Sequence, residues 1–279
     1  MSLEDWNLGF SHPCTIQISG PIGCCKTRFV RQVLANRLIE PFPTRLIWVY
    51  GEWPEDYEAL RALYPHIEFV HGWRESLYDS IRFDESNLLV LDDQMREASD
   101  SKQLARLFTK GLRYRNLSII YLVQNVYDKG KSSRTVSLNA HYHVVFRNRR
   151  DASQFPVFAS HMAPHRSGWL LDTFQDATRQ PFGYMQIDNY PQTSDEQRIR
   201  TRILPSEQAW FYSERKSDGE DSPSPPAEQH PSDLSPHHAP TKSRRPLQEH
   251  ACHEYKSSAS HLAGLMRVLL VKFDLDKEE

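Results

Sequence analysis

Gly20-Pro21-Ile22-Gly23-Cys24-Cys25-Lys26-Thr27 follows the strand-like run Cys14-Thr15-Ile16-Gln17-Ile18 and precedes Phe29, Val30, Val33 and Leu34 at helical spacing. A strand, a glycine-containing loop and a helix opening on Lys-Thr match the pattern G-x-x-x-x-G-K-[ST] of a phosphate-binding loop. Backbone N–H groups of such a loop wrap phosphate oxygens, and the helix N-terminus adds the positive end of its dipole. On this reading Gly20, Pro21, Ile22, Gly23, Cys24, Cys25, Lys26 and Thr27 form the nucleotide-binding loop. Lys26 reaches the β and γ phosphates as a point charge, and Thr27 places its hydroxyl on Mg2+. The pattern is altered at one position, because Cys25 stands where the second glycine belongs. Glycine there lets the backbone take an unusual conformation without a Cβ facing the phosphate. A cysteine is expected to crowd the nucleotide or strain the loop.

A second motif lies about 65–70 residues downstream, Leu88-Leu89-Val90-Leu91-Asp92-Asp93. Four apolar residues in a row suit a strand buried on both faces, and ligands of parallel sheets bind beyond the carboxyl ends of the strands. Asp92 is therefore the candidate for the Mg2+ shell, and Asp93 the candidate for polarising the attacking water. A third strand-like run, Ile119-Ile120-Tyr121-Leu122-Val123, ends in Gln124-Asn125. Gln124 is the candidate sensor of the γ-phosphate. The assigned roles are then catalytic for Lys26, Asp93 and Gln124, and metal-binding for Thr27 and Asp92. The glycine loop and the acidic strand together specify the RecA-like class of P-loop proteins.

Other segments extend the alternation of strands and helices. Leu46–Tyr50, Ile67–Val70 and Tyr142–Phe146 read as strands, and Tyr57–Leu63 and Leu104–Leu112 as helices. The expected fold is α/β, a RecA-like P-loop NTPase with a mainly parallel central sheet flanked by helices. Composition shifts near Ser213. Glu214–His250 is rich in Pro, Ser, His and charge and nearly free of apolar residues, which predicts a disordered tail. The expected organisation is an ATPase domain over 1–212, a disordered Pro/Ser/His-rich segment over 213–258, and a short helix and tail over 259–279.

The 279 residues carry a net charge of −2, so any DNA contact needs a local basic patch. Arg113, Arg115, Arg134, Arg147, Arg149 and Arg150 are candidates for an arginine finger acting in trans, and Lys129–Arg134 for a DNA backbone contact, although a solvated charge is the simpler reading for each. His141, His143, His161 and His165 do not form a metal-binding set. The four cysteines, Cys14, Cys24, Cys25 and Cys252, match neither a zinc site nor a disulfide framework, which predicts a reducing compartment, nuclear or cytoplasmic. Met1–Phe10 shows no secretory pattern, and no apolar run approaches the roughly 20 residues of a membrane span, so no membrane partner is expected.

Several segments go beyond motif spacing. They are His12-Pro13, Leu88–Asp93, Tyr114–Asn125, Ser137–Tyr142 and Phe146–Asp151, with Pro181–Asp188 and Arg198–Ile203 after them. Over about residues 10–206 the chain resembles the packaging ATPases of the FtsK–HerA superfamily, in particular those of Polinton/Maverick transposons and related DNA viruses of the poxvirus type, with Pro181–Asp188 and Arg198–Ile203 resembling that group's C-terminal strands. The resemblance implies a RecA-like ATPase core, a homo-oligomeric ring, and ATP-driven movement of double-stranded DNA into a capsid, with a capsid protein as partner. It also implies that Lys26 and Thr27 bind Mg-ATP, that Asp92 and Asp93 serve the metal and the water, and that Gln124 is the sensor. Cys24-Cys25 departs from the family pattern of a small residue followed by glycine. Three readings follow: an active DNA translocase, a nucleotide-binding relic impaired in hydrolysis that acts as an interaction protein, and a P-loop phosphotransferase. The third is disfavoured, since no lid-like arginine cluster or acceptor site is apparent.

Overall fold

The computed structural model describes residues 8–53, 56–92, 106–108, 112–126, 136–213 and 252–254. Its strands are β1 (Phe10–Ser11), β2 (Thr15–Ser19), β3 (Ile39–Glu40), β4 (Arg45–Tyr50), β5 (Glu68–His71), β6 (Asn87–Leu91), β7 (Leu117–Val123), β8 (Tyr142–Phe146), β9 (Tyr184–Asp188), β10 (Ile199–Thr201), β11 (Trp210–Tyr212) and β12 (Cys252–Glu254). The helices are α1 (Lys26–Ala35), α2 (Asp56–Leu63), α3 (Glu75–Ser80), α4 (Leu112–Arg115), α5 (Gln154–Met162) and α6 (Ser167–Ala177). β12 falls within the segment 213–258; apart from Ser213 the rest of that segment, and 259–279, lie outside the described residues, as does most of the helix expected over Leu104–Leu112. Among the described residues no helix is long and apolar enough to cross a membrane.

Ten strands form one sheet in the order β12-β11-β10-β9-β8-β2-β7-β6-β4-β5, while β1 and β3 pair separately. From β5 to β8 every neighbouring pair is parallel. From β8 to β12 every pair is antiparallel. The sheet is therefore mixed, which corrects the expectation of a mainly parallel one. The connection between β8 and β9 accounts for the change. A single crossover helix returns the chain to the start of the next parallel strand. Here two helices, α5 and α6, form a hairpin, with Phe155 near the start of one stacked on Phe174 near the end of the other at 3.7 Å. A hairpin brings the chain back to the edge it left, so β9 must run in the opposite direction.

Both faces of the sheet are covered, which is why β4, β6 and β7 read as nearly unbroken apolar runs. On one face α1 packs Phe29, Val30, Val33 and Leu34, and α2 packs Tyr57 and Leu60, against Ile16, Ile18, Val90, Ile120, Leu122 and Val144. The other face has two clusters. Leu77, Leu107 and Phe108 cover Ile47, Leu89, Ile119 and Tyr121, and the α5–α6 hairpin covers Val145, Met185 and Ile187.

Between those two clusters runs a polar seam, Thr15, Gln17 and Ser19 of β2 beside His143 of β8. Gln17 Nε2 donates to the Val126 carbonyl at 2.9 Å. Burial pushes the His143 imidazole down to about 4. An unfolded histidine binds its proton near pH 6.5, whereas the native one stays neutral until about 4. The unfolded chain thus holds more protons in that window, and stability falls as the pH falls through it. Between pH 7 and 5 the loss from this residue is about 2 kcal/mol. Urea titrations at both pH values should show a smaller loss for His143→Leu than for the natural protein; equal losses would contradict it.

The antiparallel half contains a buried ion pair. Arg200 Nη2 donates to Asp188 Oδ2 at 2.6 Å, with the side chains 4% and 6% exposed. Removing one partner leaves the other charged and dry, which destabilises by about 3–5 kcal/mol. Arg200→Leu should lose that much in urea unfolding, and Asp188→Leu/Arg200→Leu should recover most of it.

Candidate nucleotide site

The register of the parallel half decides what meets at its carboxyl edge. β2 lies between β7 and β8, and β6 lies beyond β7, so the loop after β2, Asp92 after β6, Gln124 after β7 and Arg147 after β8 share one edge. The Gly20 amide donates to the Val123 carbonyl at 3.1 Å, which keeps the start of the loop in the sheet. A Cβ on Gly20 would stand 2.6 Å from Cys24 Sγ and 2.7 Å from Phe146 Cβ, so the position admits only glycine. Gly23 has φ +81°. Cys25, the N-cap of α1, has φ 72° and ψ 29°, the left-handed region, and makes no side-chain cap bond. The expected strain is thus located in the backbone at Cys25. Cys24 is partly buried against the core. Burial pushes its thiol up, against a smaller opposing pull from the Lys26 ammonium.

Beyond Cys25 the first N–H groups of α1 have no intrahelical acceptor and form an anion-binding end. Lys26 Nζ donates to the carbonyls of Gly20 at 2.7 Å and Pro21 at 3.1 Å, so its ammonium lies across the hollow of the loop. Thr27 Oγ1 donates to Asp92 Oδ2 at 3.1 Å. The Tyr57 hydroxyl donates to the same oxygen at 2.7 Å and accepts from Trp48 Nε1 at 2.9 Å. A hydroxyl and a carboxylate brought together at a phosphate loop are the hard oxygen donors that Mg2+ takes alongside waters and substrate phosphates, and the residues fit that ion. Sequence reasoning missed Tyr57, since nothing local marks a tyrosine 35 residues before an acid as its partner.

Asp93, the other acid of the motif, lies outside the described residues. Gln124 and Asn125 line a cavity of about 560 Å³ together with Pro21–Cys24, Arg147–Arg150 and the turn around Pro181–Gly183. This volume is within the range of small-molecule sites. Asn125 Oδ1 accepts from Gln154 Nε2 at 3.0 Å, and Gln154 also donates to Asp151 Oδ2 at 2.6 Å. Gln154 is a second residue that the sequence did not single out. It is the first residue of α5, and it ties the helix hairpin to the end of β7.

Of the candidate arginines, Arg147, Arg149 and Arg150 line this cavity. Arg115 is at the opposite edge of the sheet, before β7. Its guanidinium donates to the Tyr78 and Ile81 carbonyls, both at 2.7 Å, and lies 4.1 Å over the Tyr78 ring. That is a structural clamp, remote from the loop. The Arg113 side chain and Lys129–Arg134 lie outside the described residues. His141 bonds Thr15 Oγ1 at 2.7 Å and stacks on Tyr190, and His143 is buried in the seam.

No protein-family model matches the chain, and no curated protein matches it. Among solved structures, it is similar to the genome packaging NTPase B204 from Sulfolobus turreted icosahedral virus 2 in complex with ATP-gammaS. The identity is 12% and the TM-score 0.47, over 70% of this chain and 97% of that one. B204, the DNA-packaging ATPase from Sulfolobus turreted icosahedral virus, gives 11% and 0.47 over 67% and 96%. The ATPase EscN from the type III secretion system of enteropathogenic E. coli gives 16% and 0.32 over 52% and 44%.

Tyr57→Phe removes one donor from Asp92 and leaves Trp48 Nε1 without its acceptor. A hydrogen bond to a charged group contributes about 1.5–3 kcal/mol. Urea unfolding should register a loss of that order, and an unchanged midpoint would show that the hydroxyl does not hold the carboxylate.

Proposed function

We propose that the chain is an ATP-driven motor that moves double-stranded DNA, of the packaging type. The observation that supports this best is the Thr27–Asp92 hydrogen bond, which joins the phosphate loop to the end of the acidic strand at 3.1 Å. The resemblance over residues 10–206 supplies the substrate and the partners: a ring of copies, double-stranded DNA and a capsid protein, in an element of the Polinton/Maverick or viral type. In this proposal residues 1–212 are the ATPase domain.

The loop amides and Lys26 hold the triphosphate, and the anion draws the ammonium away from the Gly20 and Pro21 carbonyls. Thr27 and Asp92 would hold Mg2+, which would supply positive charge against the phosphates. Asp93 orients the attacking water, Gln124 senses the γ-phosphate, and the Asn125–Gln154 bond carries a change there into α5. Arg147, Arg149 and Arg150 add positive charge along the same cavity.

A second reading is favoured by one observation, the left-handed backbone at Cys25. A non-glycine residue there costs about 1–2 kcal/mol and places a Cβ at the phosphate loop. In that reading the chain binds nucleotide, hydrolyses it poorly and acts as an interaction protein.

ATP turnover by the full chain with Mg2+, with and without double-stranded DNA, separates the two readings. The motor reading expects turnover that DNA accelerates and that Lys26→Ala abolishes. Cys25→Gly should raise stability by up to about 1 kcal/mol in either case, since the left-handed strain is relieved against glycine's larger unfolded-state entropy. Turnover only in Cys25→Gly would establish the impaired reading, and turnover in neither would exclude the motor.

A further inference from the structure

We propose that Phe182 is the platform on which the flat base of the bound nucleotide stacks, an assignment that rests on reading Gly20–Thr27 as the triphosphate site. The α5–α6 hairpin places the turn before β9 at the same edge as the phosphate loop, and Phe182 lines the cavity that Pro21–Cys24 also line. The residue is 60% exposed, so it does not belong to the core. Its φ is +61°, a conformation that costs a non-glycine residue about 1–2 kcal/mol. Glycine would relieve that cost, and the chain has a glycine at the next position for a different reason. A Cβ on Gly183 would meet the Ala177 carbonyl at 2.7 Å. The turn is thus closed tightly on one side of Phe182 while the ring itself is left open to the cavity.

An exposed aromatic held at a backbone cost beside a binding loop points to a ligand. The rest of the lining says which kind. Ile22, 82% exposed at the loop tip, gives a second apolar surface to the cavity, and Arg147 and Arg149 give it positive charge. A ligand with a flat apolar part and an anionic part matches that combination, and a nucleoside triphosphate has both. Two of the turn's donors are engaged internally, since Thr178 Oγ1 bonds the Phe174 carbonyl at 2.6 Å and the Gly183 amide bonds the Gln180 carbonyl at 3.0 Å, and a phenyl ring has no donor or acceptor of its own. Recognition by the ring is therefore of the face of the base, which every nucleobase offers.

The test uses the full chain and two probes, Mg-ATP and inorganic tripolyphosphate, with binding measured by calorimetry. Stacking on an aromatic ring is lost on truncation to alanine with a drop in affinity of about ten-fold or more. Phe182→Ala should weaken ATP to that extent and leave tripolyphosphate unchanged, and Phe182→Trp should retain ATP binding. Phe182→Gly should weaken ATP likewise without lowering the melting temperature. Unchanged ATP affinity in Phe182→Ala overturns the platform and leaves the triphosphate site standing. A parallel loss of both probes, or a melting temperature several degrees lower in Phe182→Gly, overturns it by making Phe182 a support of the turn. If the natural protein binds neither probe, the triphosphate reading fails, and the platform with it.

Discussion

Between Ser19 and Lys26 the backbone leaves a strand and enters a helix, and steps at positive φ, at Gly23 and Cys25, accompany that turn. The rest of the site depends on this geometry. It aims the unpaired amides at the head of α1 into the hollow where Lys26 lies across the Gly20 and Pro21 carbonyls. It also carries Thr27 to Asp92, from a strand two places away in the sheet. Gly20 makes the close approach possible on the other side, since any side chain there would collide with Phe146 of β8. Helix α1, the loop and β8 are in this way fixed against one another.

The two halves of the sheet then divide the work. The parallel half sends the ends of β2, β6, β7 and β8 to one edge and supplies the groups suited to phosphate and metal: Lys26, Thr27, Asp92 and the arginines after β8. The antiparallel half begins with a helix hairpin, and the hairpin returns a turn to that same edge. Neither half alone would close the cavity. The Asn125–Gln154 bond joins them a second time, close to the end of the strand that carries Gln124.

The parallel half was legible in the sequence because its strands are buried on both faces and read as apolar runs, and because the loop and Asp92 follow such runs directly. The strands within Pro181–Asp188 and Arg198–Ile203 were legible only through the resemblance, and the antiparallel direction of that half was hidden for two physical reasons. β10 and β11 have three residues each, too few for a period to register, and the direction of β9 is set by the number of helices before it. Those helices are poorly marked, since α5 carries Pro156 in its first turn and α6 carries Gly168. Tyr57 was read correctly as helical and its role was missed, because its hydroxyl meets Asp92 only through the sheet order that puts β4 beside β6. Arg115 illustrates the converse. The sequence offers it as an arginine finger or, more simply, a solvated charge, and the fold uses it to hold two carbonyls at the far edge.

The two cysteines of the loop differ in kind. Cys24 directs its sulfur to the space that Gly20 leaves by having no side chain, 2.6 Å from where a Cβ would be, and packs against the core. A cysteine at that position is compatible with the loop and contributes packing to it. Cys25 makes no side-chain cap bond, while its backbone carries the left-handed strain that a glycine would avoid. The departure of this loop from the usual pattern therefore reduces to one residue, and its physical consequence to the combination of a strained backbone and a Cβ at the point where α1 begins.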